Sequence, residues 1–159
     1  MSFSLAAGDL GEDLLVIEGN VLFDGTVLNR VLRHSLAINV AAVAAFTPPM
    51  SGTVVDIGDD DRLIRQVHKG VGVPCGARRG AWKTVNVYRF SAPLVRVLCD
   101  IHARVRDSNP FAYLEDLLKL AVDGVEKILT VDCSDCRWYE VDDLADLHNA
   151  REVFGNVSN

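Results

Sequence analysis

Arg137-Trp138-Tyr139-Glu140-Val141-Asp142-Asp143-Leu144-Ala145-Asp146-Leu147 is the stretch on which the fold turns. A bulky apolar strand over 138–141 runs into carboxylates, and the same carboxylates open an amphipathic helix over about 143–153. Asp142 or Asp143 can cap that helix, where side-chain oxygens satisfy free backbone N–H groups at the positive end of the dipole. A carboxylate at such a junction is also well placed for a divalent cation, because Mg²⁺ takes oxygen ligands and shares them with phosphate. Glu140 and Asp142 fall on one side of the strand, since strand side chains alternate with period two.

Upstream, the apolar run 14–18 reads as a strand covered on both faces of a mainly parallel sheet. It closes on Glu18-Gly19-Asn20. Thr26 is positioned to cap a helix over 27–33 with Leu28, Val31 and Leu32 turned inward. Residues 38–46 form the next core strand, ended by Thr47-Pro48-Pro49-Met50-Ser51-Gly52. Segments 52–57 and 62–69 flank Gly58-Asp59-Asp60-Asp61, a hairpin with a solvated acidic turn. Loop 70–80 carries Arg78 and Arg79, either phosphate contacts or an exposed basic pair.

Lys83-Thr84-Val85-Asn86-Val87-Tyr88-Arg89-Phe90-Ser91 contains a strand over 85–90. A helix over 92–104 follows, with Leu94, Val95, Leu98 and Ile101 on one side. Asn109-Pro110 starts another, with an apolar stripe of Leu114, Leu117, Leu118 and Ala121. A short strand over 127–131 precedes the opening stretch, and 4–10 reads as a short helix.

The chain has 159 residues, 49% hydrophobic and 24% charged, with a formal net charge of −6. That composition describes a globular chain with a real core and argues against general affinity for nucleic acid. No apolar run reaches the length of a membrane span and no leader is recognisable, so a cytoplasmic location is expected. Cys133-Ser134-Asp135-Cys136 has the spacing of a redox or zinc pair, which His68 and Cys75 would have to complete as a metal site.

The stretches at 14–23, 83–91 and 137–147, in this order, resemble the nucleotidyltransferases that join CTP or another NTP to a sugar phosphate, phosphocholine or phosphonate. The Lys-Thr-x-Asn-x-Tyr-x-Phe run resembles the phosphocholine and aminoethylphosphonate cytidylyltransferase branch, and the matches span 4–154. The resemblance implies an α/β fold: a Rossmann-like mixed, mainly parallel sheet flanked by helices. It further implies that 1–159 is a single, N-terminally incomplete domain, short of roughly 80 residues or two to three βα units.

What the resemblance implies for chemistry is cytidylyl transfer, with Mg²⁺, to a small phosphorylated acceptor such as phosphocholine or an aminoalkylphosphonate. Lys83 and Asp142 stand at catalytic positions; Glu18, Asn86, Tyr139 and Glu140 at substrate-binding positions; Asn20 and Asp142 at metal positions. Asn20 replaces an expected Asp, keeping an oxygen ligand but losing a charge. Trp138 with Tyr139 can form either a cation–π wall for an amine or ordinary core.

The family's glycine-rich loop with Arg and Lys has no counterpart. Gly8 is followed by Asp9, Glu12 and Asp13, which would repel a triphosphate. The chain is therefore expected to be inactive alone. A complementary N-terminal half or a second copy is the expected partner, through an unpaired sheet edge. The rival expectations are a degenerate non-catalytic domain, or a redox or metal module on Cys133 and Cys136.

Overall fold

A computed structural model of the chain describes residues 12–34, 39–47, 50–59, 62–68 and 81–155. The expected helix at 4–10, the loop arginines Arg78 and Arg79, and Cys75 lie outside these residues.

In chain order the elements are β1 (Leu14–Ile17), β2 (Val21–Phe23), α1 (Gly25–Leu32), β3 (Val40–Ala45), β4 (Val54–Ile57), β5 (Ile64–His68) and β6 (Trp82–Phe90). Then follow α2 (Ala92–Val105), α3 (Leu114–Asp123), β7 (Leu129–Asp132), β8 (Trp138–Glu140) and α4 (Leu144–Phe154). A six-stranded sheet is ordered β5-β4-β6-β3-β7, with β1 also on β6, and β2 pairs β8 in a separate ribbon. This is the mixed, helix-flanked α/β sheet that the sequence implies. The expected predominance of parallel pairs is not what these strands show, for β6 runs antiparallel to β1, β3 and β4, and β3–β7 is the parallel pair.

Strand β6 organises the sheet. One of its edges lies against β3 along its length, while the other is shared: β1 takes Val87–Phe90 and β4 takes Trp82 and Lys83. Between the two, the register against β3 slips, with Ala41 opposite Tyr88 but Val43 opposite Thr84. That bulge is centred on Asn86, whose φ of 60° is left-handed. Asn tolerates this region better than most residues, and bulges re-aim the side chain they carry.

Two apolar cores cover the sheet. Tyr88, Phe90, Leu94, Leu98, Leu117 and Leu118 pack with Ala41 and Val43 on the α2–α3 side. Val85, Val87, Ala42 and Ala44 pack with Val27, Val31 and Cys133 on the side of α1 and the β2–β8 ribbon.

Several sequence expectations need correction. β1 is not buried on both faces: Leu14 and Val16 pack on the α2–α3 core, while Leu15 and Ile17, on the opposite face, are exposed. Helix α1 is capped by Asp24, which accepts from the Thr26 N–H, and it turns Val27 and Val31 inward while Leu32 stays exposed. Helix α3 starts at Leu114 rather than at Asn109-Pro110, since Asp116 reaches back to the Tyr113 N–H at 2.8 Å and fixes the first turn there. Finally, β8 does not close the main sheet but zips to β2.

Candidate active site

The β2–β8 ribbon assembles the first part of the site. Its register pairs Val21 with Glu140, and the Val141 N–H donates to the Asn20 carbonyl at 2.8 Å, which brings the turn after β1 beside the start of α4. There Asn20 Nδ2 donates to Asp142 Oδ1 at 2.8 Å. The capping alternative is settled by the next residue. Asp143 accepts from the Asp146 N–H at 2.9 Å while Asp146 accepts from the backbone of Asp142 and Asp143, a reciprocal capping box. Asp142 is thus spared capping duty, and its carboxylate is free to face Asn20.

The second part lies on β6. Lys83 is buried, and its ammonium meets Glu140 Oε2 at 2.8 Å and the Thr84 carbonyl at 3.1 Å. The other Glu140 oxygen accepts from Asn86 Nδ2 at 2.7 Å, and Asn86 Oδ1 lies 2.9 Å from the Thr84 hydroxyl. The bulge at Asn86 is what turns its amide toward β8. An ammonium has three N–H donors. Among the described residues two of them are occupied, which leaves the third for a ligand.

That ligand has a place. A cavity of about 480 Å³ is lined by Lys83, Glu140, Trp138, Tyr139, Asp146 and Cys136, among others. Tyr139 is held in its wall by Asn149, whose amide donates to the hydroxyl at 3.1 Å. Trp138 lines the same space and also packs on the α1-side core.

Glu18 ends β1, and its N–H donates to the Asn86 carbonyl at 3.1 Å. Its carboxyl is pushed up to about 7, first by burial and then by the charges of Glu115 and Glu140, with Lys83 opposing. Glu115 belongs to the first turn of α3.

The residues given catalytic, substrate-binding or metal positions fall into one region: Asn20 with Asp142, Lys83 with Asn86 and Glu140, Glu18 near both, and Tyr139 in the cavity wall. Sequence reading missed Thr84, Glu115 and Gly52. Gly52 has a φ of 95°, and a Cβ there would sit 2.9 Å from Lys83 Nζ. A glycine just before a strand and just after a proline pair is its only sequence signal.

Among the described residues no group of three or more His, Cys, Asp or Glu side chains is arranged to hold a metal ion. Cys133 is fully buried, which pushes its thiol up to about 12, while His68 bonds Asp56 at 2.9 Å in the β4–β5 hairpin. Arg30 anchors the cysteine loop through a two-pronged contact with Asp135 and a bond to the Asp132 carbonyl.

No family model matches the chain. It is 32% identical over 157 residues to the CMP-5'-(3-aminopropyl)phosphonate synthase of Streptomyces rubellomurinus, a match that covers 94% of this chain and 24% of that protein. Among solved structures it superposes on CTP:phosphocholine cytidylyltransferase from Streptococcus pneumoniae with a TM-score of 0.74 at 14% identity, covering 96% of this chain and 62% of that one. The inositol-1-phosphate CTP transferase of T. maritima gives a TM-score of 0.68 at 17% identity, over 99% and 63%. The chain has the nucleotidyltransferase fold. As a nucleotidyltransferase-fold chain it spans about a quarter of the length of the curated relative and somewhat over three fifths of these two structures. No helix among its described residues is long and apolar enough to cross a membrane.

Proposed function

We propose that this nucleotidyltransferase-fold chain provides the acceptor side of a cytidylyl-transfer site. In this reading CTP is the donor and a small phosphorylated or phosphonate acceptor attacks its α-phosphorus, expelling pyrophosphate. The supporting observation is the buried Lys83–Glu140–Asn86 network on the wall of the cavity. It leaves one ammonium donor of Lys83 for an acceptor oxyanion, in a site where hydrogen bonds to charge are strengthened by burial. An aminoalkylphosphonate is favoured over phosphocholine as the acceptor, by the activity named for the Streptomyces relative.

The donor set suits Mg²⁺ delivered with a nucleotide rather than a metal held by protein alone. Asp142 keeps one carboxylate oxygen outside its bond to Asn20, and the side-chain Oδ1 of Asn20 would add a second, neutral ligand. Mg²⁺ bound through one carboxylate plus substrate phosphates is a common arrangement, and it would neutralise charge developing on the phosphates. Lys83 orients the acceptor, Glu140 holds Lys83, and Asn86 in turn holds Glu140.

One observation favours a second reading, a non-catalytic binding domain. The Asn20 amide already satisfies Asp142 without any cation. Thermal unfolding with and without Mg-CTP and 3-aminopropylphosphonate separates the two. A transition raised by both ligands together, beyond the rise with either alone, supports transfer. Binding of the phosphonate with no response to Mg-CTP favours the second reading, and indifference to both sinks the first.

A further inference from the structure

The turn between β7 and β8 carries two thiols, Cys133 and Cys136, that the proposed transfer leaves unused. The Cys136 N–H donates to the Cys133 carbonyl at 3.1 Å and closes the turn. A turn of this kind keeps its first and last Cα within about 7 Å, close to the span of a disulfide. Both side chains lie on one side of it: Cys133 is buried in the α1-side core, and Cys136 packs against that core. Of the two, Cys136 also lines the cavity.

The turn is held by bonds that use neither sulfur. The Cys133 N–H donates to the Val43 carbonyl at 2.7 Å and the Ala45 N–H to the Ser134 hydroxyl at 2.8 Å, so β3 fixes the first half. The Asp132 carboxylate accepts from the Ser134 N–H and hydroxyl at 2.8 and 2.6 Å. Arg30, from α1, grips the Asp132 carbonyl and the Asp135 carboxylate together. The sulfurs can therefore be joined by side-chain rotation while this backbone is kept.

We propose that Cys133 and Cys136 form a dithiol–disulfide site that exchanges with a low-molecular-weight disulfide admitted by the cavity. Cys136 attacks because it faces the cavity, and Cys133, buried behind it, resolves. First, the Cys136 thiolate attacks one sulfur of the incoming disulfide, whose S–S bond breaks as a mixed disulfide forms. The departing thiolate takes up the proton that Cys136 gave up. Then Cys133 loses its proton and attacks the Cys136 sulfur, forming the internal disulfide. The second external thiolate leaves and takes that proton. Two protein thiols are oxidised and one external disulfide is reduced to two thiols, with no other oxidant.

The electrostatics agree with this order. Burial raises both thiols; the Arg30 charge is the main influence against it at Cys136, while Cys133 is pushed up to about 12. Neither thiolate is strongly favoured, so the internal disulfide, once made, is not readily reduced. While the mixed disulfide lasts, its external half sits in the cavity that Lys83 and Glu140 line. The site stands whether or not that cavity takes an acceptor.

For the test, the full chain is incubated with oxidised glutathione, quenched in acid, alkylated and mapped by peptide mass, which keeps this pair apart from Cys75 and Cys99. The expected product is the Cys133–Cys136 disulfide with no glutathione retained. Cys133→Ala should instead hold one glutathione on Cys136. In Cys136→Ser the remaining Cys133 should react at least about tenfold more slowly than Cys136 does in Cys133→Ala. The wild-type product decides alone if Cys133→Ala does not fold. Glutathione retained on Cys136 of the wild type removes Cys133 as resolving thiol and overturns the proposal. So do both thiols left free in excess oxidised glutathione, or a disulfide from either one to Cys75 or Cys99.

Discussion

Lys83 Nζ lies 2.8 Å from Glu140 Oε2, joining the central strand of the large sheet to the two-stranded ribbon through an ion pair with side-chain exposures of 2% and 17%. Such a pair is costly to bury and costlier to break, because removing one member strands the other charge out of water. The same bond therefore fixes the ribbon and aims the candidate acceptor-binding ammonium.

Glu140→Ala is expected to destabilise the chain by about 3 kcal/mol in urea unfolding, the lower end for a broken buried pair. Lys83→Met should cost less than this once Glu140 is also neutralised, as Lys83→Met/Glu140→Gln leaves no unpaired charge. A double variant as unstable as the sum of the singles would show that the pair is not coupled.

Gly52→Ala should cost about 2 kcal/mol, because the added Cβ meets a left-handed backbone and the Lys83 ammonium together. The loss should be smaller in a Lys83→Met background, where the charged tip is gone. Identical losses in both backgrounds would assign the whole effect to the backbone.

Asn20→Asp should turn the Asn20–Asp142 contact into a carboxylate pair. Mn²⁺ affinity, read by paramagnetic resonance, is expected to tighten about tenfold with the added ligand charge. Thermal stability should become dependent on divalent cations, since two like charges now face each other in their absence. Unchanged Mn²⁺ affinity would remove Asn20 and Asp142 as a metal position.

The cysteine loop makes a separate prediction. Burial holds the Cys133 thiol up at about 12, whereas Cys136 lines the cavity and is partly exposed. Only thiolates alkylate quickly. Iodoacetamide on the folded chain at pH 8 should therefore label Cys136 well before Cys133, with peptide mass mapping as the readout. Labelling of Cys133 first would mean that this loop opens readily.

Much of the architecture was legible from local pattern. The strand-to-helix junction at 138–147, the β4–β5 hairpin and helix α2 follow from apolar runs and turn residues. Strand direction was not legible, because β1 and β6 read as apolar whether their neighbours run with them or against them. The double burial expected of β1 failed because an apolar side chain does not report what covers it: Leu15 and Ile17 are apolar yet exposed. The candidate residues were found by resemblance of short motifs. Their mutual bonds were not, since Lys83 and Glu140 are brought together by a ribbon register that no local pattern encodes. Glu115 went unnoticed because a helix-opening Glu is a common residue, and only the fold brings its charge to bear on Glu18.

The bulge at Asn86 divides one side of β6 between two tenants, β1 beyond it and β4 before it. Neither strand hydrogen-bonds the other, so each can be altered like a separate cassette on a common spine. Lengthening or exchanging the β4–β5 hairpin would reshape the approach to Lys83 past Gly52 while Glu18 and Asn20 kept their places. A fold divided in this way can change which molecules it admits at one end of a strand without rebuilding the machinery at the other.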